Sequence, residues 1–210
     1  MLEIHRAAPG DELLTGMVNG RMGRAKVCSL DSREAVLEVS LDRDPPPALG
    51  MDLVLALPRP PVFRRCLSAA AAMGIKRICV VHTRRVEKSF WQSHALDGAE
   101  VQRQLVLGLE QAKDTIIPAV SFHKRFKPFV EDELPEMIKG RRALVAHPEA
   151  TEELRRGVKP PVTVLIGPEG GLLDYEVEKL REEGFECVSL GERILRVETA
   201  LPYLAGRLLS

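Results

Sequence analysis

The amino-acid sequence predicts an α/β protein with a largely parallel sheet, preceded by a small all-β part. From residue 52 onward, short runs rich in β-branched residues alternate with stretches of helical periodicity, the pattern of strands joined by helical crossovers. Residues 1–48 instead hold two turn signals, Gly10-Asp11 and Asn19-Gly20, beside short strand-like runs. We therefore expect two structural parts, 1–48 and 49–210.

Eight short strands are predicted, two in the first part and six in the second. They are Ala25–Leu30, Ala35–Leu41, Leu53–Leu57, Arg77–His82, Thr115–Val120, Ala143–Ala146, Val162–Ile166 and Cys187–Leu190. The proline run within Asp44–Pro47 is typical of a stiff linker between the two parts.

Three helices have clear signals. Apolar residues recur on one face of Val62–Met73. Another helix is expected from Asp174, with Asp174 as its N-cap, acidic residues in its first turn and Gly184 as its stop. A last helix is expected to begin near Glu198. Helices between the later strands imply layers on both faces of the sheet.

The composition is that of an ordinary globular protein: 45% of the 210 residues are hydrophobic and 29% are charged. No apolar run approaches the roughly 18 residues of a membrane span, and the first residues lack the apolar core of a secretion signal. The four cysteines have no paired spacing, and the five histidines form no HxxxH or HxH pattern. We therefore expect a cytoplasmic protein without a membrane segment or a metal site.

The charges are balanced overall but unevenly placed. The chain has 30 basic and 30 acidic residues, whereas between Arg59 and Phe90 eight basic residues accompany one acidic residue, Glu87. A concentrated basic segment suits a polyanionic partner. A solvated surface that keeps the protein soluble explains the segment equally well, so charge alone leaves both interpretations open.

A glycine-rich loop, Gly167–Gly171, follows the predicted strand Val162–Ile166. Such turns after parallel strands are places where α/β proteins bind ligands, since glycine lets the backbone come close to the ligand. The loop is not a phosphate-binding P-loop, because no Gly-Lys-Ser/Thr is present, and it lacks the GxGxxG pattern of dinucleotide sites. An ordinary strand-to-helix turn is the alternative interpretation.

A second loop begins at Gly191 and continues through Ile194–Thr199, where an apolar pair precedes an arginine, an acid and a hydroxyl. Thr199 or Glu198 could cap the last helix, and Arg196 could simply pair with a carboxylate. Two such loops after consecutive strands nevertheless predict a pocket with a polar, reactive edge.

Two motifs carry a resemblance to a known family. IGPEGG at Ile166–Gly171, followed by LGERILRVETA at Leu190–Ala200, resembles the small-subunit (16S) ribosomal RNA uridine-N3 methyltransferases of the SPOUT superfamily. More weakly, Leu57–Arg59 is similar to the Pro-Lys start of that family's catalytic domain, and Glu110-Gln111 to its Glu-Gln helix motif. The family's lysine and glutamate are absent from Ala69–Met73.

The resemblance implies a SPOUT-type parallel sheet with a C-terminal trefoil knot in residues 49–210, and a small, incomplete PUA-like β-barrel that binds RNA in residues 1–48. It implies methylation of uridine N3 in small-subunit ribosomal RNA, free or in the assembled 30S particle, by a homodimer. It also implies S-adenosylmethionine as the cofactor. The implied cofactor-binding residues are Ala146, His147, Pro148, Ile166, Gly167, Pro168, Glu169, Gly170, Gly171, Leu190, Gly191, Ile194 and Leu195.

Two residues are the candidates for catalysis. Arg196 is expected to stabilise charge on the uracil oxygens, and Glu198 to accept a proton or to orient Arg196. The candidates for contacts with RNA phosphates are Arg6, Arg64, Arg65, Arg84, Arg85 and Lys88. The alternatives are a SPOUT-family methyltransferase with another RNA target, a non-catalytic RNA-binding module of the same fold, and a nucleotide enzyme on a plain doubly wound sheet.

Overall fold

The first part of the chain forms a three-stranded antiparallel sheet in the computed structural model, which describes residues 7–209. Its strands, in the order β1-β2-β3, are β1 (Glu12–Gly16), β2 (Met22–Leu30) and β3 (Ala35–Arg43). Asn19, between β1 and β2, has a φ of 57°, as its Asn-Gly turn signal suggests. Both strands predicted in this part are confirmed.

The second part contains a six-stranded sheet in which every neighbouring pair is parallel, as predicted. Its spatial order is β6-β5-β4-β8-β7-β9. The strands are β4 (Met51–Ala56), β5 (Arg77–Val81), β6 (Ala119–His123), β7 (Arg142–Ala146), β8 (Val162–Ile166) and β9 (Glu186–Val188). β4 and β8 lie at the centre and are buried almost throughout, which explains why each is apolar except at one position, Asp52 or Thr163.

Helices connect these strands. They are α1 (Pro60–Ala72), α2 (Gly98–Ala112), α3 (Phe126–Pro128), α4 (Leu134–Ile138), α5 (Asp174–Glu182) and α6 (Val197–Leu209). Short 3₁₀ segments span Lys88–Gln92 and His94–Leu96, and a π-helical turn spans Phe129–Glu133. α1 packs against both α2 and α6. Within residues 7–209, none of the helices has the length and apolar character needed to cross a membrane.

Several predicted boundaries differ from the structure, for example that of β9, which ends at Val188 and not at Leu190, and two of the differences have a clear physical cause. The strand expected at Thr115–Val120 begins only at Ala119, because the residues before it dock onto the first part: Thr115 Oγ1 donates to the Gly20 carbonyl, and Ile117 N–H donates to Asn19 Oδ1. Asp174, the expected N-cap of α5, is its first helical residue. The N-cap is the preceding leucine, whose N–H donates to a carboxylate further along the helix.

The parallel arrangement brings the carboxyl ends of all six strands to one edge of the sheet, which we call the carboxyl edge. The loops after β7, β8 and β9 lie in one half of this edge, because these strands are neighbours. The loops after β4 and β5 lie beside them, since β4 pairs with both β5 and β8. Both glycine loops and the two ends of the basic segment, at Arg59 and at Arg84–Lys88, therefore lie at the carboxyl edge.

Candidate active site

A cavity of about 280 Å³ opens at the carboxyl edge, between the loops that follow β7, β8 and β9 and the start of α6. Its size is near the lower end of small-molecule pockets, roughly 300–1,000 Å³. The lining residues are Ala146, His147, Pro148, Ile166, Gly167, Pro168, Glu169, Gly171, Leu172, Leu190, Gly191, Glu192, Arg193, Ile194, Leu195, Arg196, Val197 and Ala200.

Twelve of the thirteen residues assigned to the cofactor line this cavity; Gly170 does not. Leu172, Val197 and Ala200 also line the cavity, are buried and form part of its apolar wall, and the sequence did not predict them. They follow the two motifs directly, so their position beside the loops was the available signal. Leu172 also packs close to Gly167, where an added Cβ would lie 3.2 Å from the leucine Cγ.

The two glycine loops depend on backbone conformations that favour glycine. Gly171 has a φ of 75° and Gly191 a φ of 111°, in a region that L side chains rarely adopt. Gly171 N–H donates to the Pro168 carbonyl at 2.8 Å, which closes a turn within the first loop. Much of the cavity wall is therefore backbone, with donors and acceptors available to a ligand.

We call Gly167–Leu173 the cofactor loop. Two neighbouring loops fasten it from outside the cavity: Glu169 Oε1 accepts from Arg59 N–H at 3.0 Å, and Arg85 Nη1 donates to the Gly170 carbonyl at 2.7 Å. The side chain of Glu169 thus has a structural partner, although the residue also lines the cavity. Gly170 faces Arg85, since an added Cβ would lie 3.2 Å from the Cβ of that arginine.

Glu176, in the first turn of α5, is fully buried and holds the same region together. Its Oε1 accepts from Arg84 N–H at 2.8 Å, and its Oε2 accepts from Leu173 N–H at 2.8 Å. One carboxylate therefore joins the loop after β5 to the end of the cofactor loop. From the sequence, Glu176 was predicted only as a favourable acid in the first turn of the helix.

Arg196 and Glu198 lie where the second glycine loop enters α6. Arg196 lines the cavity and its side chain is exposed. Glu198 Oε1 accepts from Arg65 Nη2 of α1 at 3.1 Å. Hydrogen bonding to its own backbone N–H lowers the pKa of Glu198; Arg65 and Arg196 act in the same direction, and partial burial opposes them. Glu198 is thus a carboxylate that Arg65 holds and that also feels the positive charge of Arg196.

The predicted phosphate contacts fall into two groups. Arg64 and Arg65 are paired within the chain: Arg64 Nε donates to Glu100 Oε1 at 2.6 Å, and Arg65 pairs with Glu198. Hydrogen bonds from Arg103, Gln104 and Arg64 lower the pKa of Glu100 to about 2. The second group, on and just after the loop that follows β5, has exposed side chains: Arg84, Arg85 and Lys88. Arg6, the remaining candidate, lies outside the described residues.

Metal-binding side chains are not clustered in the described part of the chain, 7–209, where no group of three or more His, Cys, Asp or Glu residues could hold a metal ion. Cys66 of α1, which follows Arg65 in the sequence, is buried. Burial raises the pKa of its thiol to about 12, with the negative charge of Glu198 adding to the effect. That thiol therefore stays protonated at neutral pH.

Known proteins match both the sequence and the fold. A protein named ribosomal RNA small subunit methyltransferase E from Treponema pallidum is 28% identical over 191 residues, which cover 88% of this chain and 71% of that protein. One of the same name from Mycobacterium bovis is 27% identical over 210 residues, 97% of this chain and 79% of that protein.

Among solved structures, ribosomal RNA small subunit methyltransferase E from Neisseria gonorrhoeae, bound to S-adenosyl methionine, has a similar fold with a TM-score of 0.77. It is 23% identical, and the match covers 98% of this chain and 84% of that one. A family model described as an RNA methyltransferase domain matches residues 45–209, more than three quarters of the sequence. With its cavity at the carboxyl edge and this match, the chain belongs to the RNA methyltransferase family.

Proposed function

We propose that this protein transfers a methyl group from S-adenosylmethionine to N3 of a uridine in 16S ribosomal RNA. The observation that carries the proposal is the cavity at the carboxyl edge, walled by three loops that include both glycine motifs. Membership of the RNA methyltransferase family and the names of the relatives support the reaction class and the small-subunit RNA. The structural relative bound to S-adenosyl methionine supports the cofactor.

The residues of the cavity fit S-adenosylmethionine. Buried apolar side chains such as Ile166, Leu172 and Val197 offer a dry surface for an adenine ring. The loop backbones around Gly167 and Gly191 offer N–H and carbonyl groups for the polar edge of the base and the ribose. All thirteen residues named for cofactor binding keep that proposed role, with Gly170 acting from outside the cavity by supporting the loop.

When bound, S-adenosylmethionine supplies a methyl group on a positively charged sulfur. Uracil N3 carries a weakly acidic proton, so its reaction requires negative charge on the ring and its two oxygens. Arg196 lines the cavity with an exposed guanidinium that can donate to those oxygens. A donor placed in advance where charge develops lowers the barrier without reorganisation, which is our proposed role for Arg196.

Glu198 is better suited to orienting than to accepting the proton. Its pKa is lowered, so the carboxylate is a weak base, and its Oε1 already accepts a hydrogen bond from Arg65. Its Oε1 is bound by Arg65, and its negative charge attracts the Arg196 guanidinium, so it can favour a position of that guanidinium beside the cavity. We therefore assign Glu198 to positioning Arg196, with the N3 proton leaving to water.

The chemistry of the cavity favours a ring nitrogen over carbon C5 of the base. Methylation at C5 of uracil needs a nucleophile, such as a thiolate, that first adds to C6. Within the part of the chain that the structure describes, cysteine is not among the lining residues. The nearby Cys66 is buried, and its raised pKa keeps the thiol protonated.

Four finer features belong to the same proposal and rest on the resemblance of the two C-terminal motifs. They are a trefoil knot in the C-terminal part, a PUA-like role in RNA binding for the three-stranded sheet, a homodimer, and action in the cytoplasm on the assembled 30S particle. Contacts with RNA phosphates are assigned to the exposed side chains of Arg84, Arg85 and Lys88. Arg64 and Arg65 contribute less, because carboxylates already hold them.

The test has two stages. Calorimetric titration with S-adenosylmethionine and S-adenosylhomocysteine should show saturable binding. Incubation with methyl-labelled S-adenosylmethionine and either purified 16S ribosomal RNA or 30S particles, followed by nucleoside analysis, should place the label on N3 of a uridine. Label on another base or on a ribose would support the methyltransferase activity but contradict uridine N3 as its target. Cofactor binding without labelling of either RNA substrate would favour a non-catalytic RNA-binding module.

A further inference from the structure

The loop after β5, which we call the basic turn, touches the cofactor loop directly. It runs from Thr83 to Val86, which are both buried, and Val86 N–H donates to the Thr83 carbonyl at 3.0 Å. The two residues between them, Arg84 and Arg85, are exposed. Both ends of the turn are thus anchored in the core, and its two charged side chains are held at the surface of the carboxyl edge.

Arg85 makes a contact that its neighbour does not. One of its guanidinium nitrogens, Nη1, donates to the Gly170 carbonyl of the cofactor loop at 2.7 Å. The stem of the side chain also packs on Gly170, with the arginine Cβ, Cδ and Cγ all within 4 Å of where a glycine Cβ would lie. A guanidinium has five N–H donors, so an exposed Arg85 keeps donors for a second partner.

Arg84 is fixed differently, through its backbone. Its N–H donates to the buried carboxylate of Glu176, which also accepts from Leu173 N–H at the end of the cofactor loop. This link survives replacement of the Arg84 side chain, because only the backbone takes part. The chain therefore offers two adjacent exposed arginines of the same charge, of which one touches the cofactor loop with its side chain.

We propose that Arg85 binds RNA phosphate and the Gly170 carbonyl at the same time, and so couples RNA binding to cofactor binding. This inference rests on the proposed function and adds a positioning residue to it. Bidentate recognition of this kind suits a planar guanidinium and does not suit an ammonium group. A phosphate bound to the guanidinium nitrogens that face solvent restrains the Arg85 side chain, while Nη1 donates to the Gly170 carbonyl.

The coupling has a defined sign. A side chain already ordered by RNA loses less conformational freedom when it also holds the cofactor loop, so each ligand should favour the other. Thermodynamic linkage makes the effect reciprocal: RNA raises cofactor affinity by the factor by which the cofactor raises RNA affinity. Couplings of this type are typically about fivefold or more.

The experiment measures affinity for S-adenosylhomocysteine by calorimetry in the absence and presence of saturating 16S ribosomal RNA transcript. The native protein should bind S-adenosylhomocysteine about fivefold or more tightly when RNA is present. Arg85→Ala should bring this ratio close to one. Arg85→Lys keeps the charge, so it should retain most of the RNA affinity and still lose most of the coupling.

Arg84→Ala is the matched control, since it removes the same charge one residue away and leaves the backbone link to Glu176 in place. It should weaken RNA binding and leave the ratio as in the native protein. Native protein that binds both ligands with a ratio of one overturns the coupling and leaves the proposed function standing. A ratio that falls equally in Arg84→Ala and Arg85→Ala also overturns it, while failure to bind S-adenosylhomocysteine at all overturns the proposed function with it.

Discussion

The two halves of the carboxyl edge differ in the kinds of residue that form them. The half after β7, β8 and β9 holds a largely apolar cavity with charged residues such as Arg196 in its lining, and its shape depends on glycines such as Gly171 and Gly191. The half after β4 and β5 carries exposed basic side chains, and the carboxylates of Glu169 and Glu176 hold its backbone. Shape is set locally in the first half, whereas charge is placed by long-range pairs in the second. The two halves should therefore respond differently to substitution.

The largest effect is expected at Arg196, where the two halves meet. Arg196→Ala removes a donor that matters when charge develops, so kcat should fall by about 10²–10³. The affinity for S-adenosylhomocysteine should stay close to native, because the cavity is lined mainly by other groups. Single-turnover methylation and calorimetry on the same preparation measure the two quantities. An unchanged kcat would remove Arg196 from the reaction.

The backbone-lined half is tested at Gly191. Gly191→Ala forces a side chain into a positive φ, which costs about 1–3 kcal/mol of stability, and places a methyl group in the cavity wall. We expect about tenfold weaker binding of S-adenosylhomocysteine. Gly184→Ala is the control, because Gly184 also has a positive φ, 92°, but does not line the cavity.

Thermal unfolding should show a similar loss of stability in both glycine variants. Calorimetry should show weaker binding of S-adenosylhomocysteine only in Gly191→Ala. Equal binding by the two variants would mean that the conformation at Gly191 does not shape the cofactor site.

The role of Glu198 can be read from a pH profile. Its pKa is lowered, so the carboxylate is ionised near neutral pH. The stabilisation from its pairing is present above the unfolded-state pKa and is lost only as pH falls through the still lower folded-state value. Glu198→Gln should therefore lower kcat by about tenfold between roughly pH 6 and 9 and leave the shape of the curve unchanged. A changed slope would make Glu198 the proton acceptor.

The smallest effect is expected from single charges in the basic half. Arg84→Ala should weaken RNA binding several-fold and reduce the slope of log affinity against log salt by about 0.7. Arg142→Ala removes the same charge from the start of β7, at the opposite edge, where Glu186 holds the guanidinium at 2.8 Å. Filter binding at several salt concentrations should separate them. Equal salt slopes for the two variants would mean that Arg84 belongs to an ordinary solvated surface and does not contact RNA phosphate.

The same contrast explains what the sequence could predict. Most of the strands, though not β1, and both glycine loops were predicted because their signals are local: an apolar run of five residues and a glycine cluster directly after it. Twelve of the residues assigned to the cofactor lie around one cavity for the same reason. Their roles in binding remain predictions, as do those of Arg196 and Glu198.

Contacts between residues far apart in the sequence could not be predicted, because no local pattern indicates them. Arg65 meets Glu198 across 133 positions of the sequence, and Arg59 meets Glu169 across 110. Nothing near Arg65 in the sequence separates it from Arg84: both side chains are exposed, and it is the distant Glu198 that pairs with Arg65. The strand expected at Thr115 failed similarly, because its residues are taken up by contacts with the first part of the chain.

The order of strands in the sheet also has a consequence for biosynthesis. β4 ends at residue 56, but its partner β8 begins only at residue 162. At roughly 5–20 residues per second, a ribosome needs on the order of 5–20 s to make the segment between them. During that interval one edge of β4, which is apolar apart from Asp52, has no partner. The nascent chain is thus most prone to misfold midway through translation, and it cannot bind its cofactor until the last helix begins to emerge.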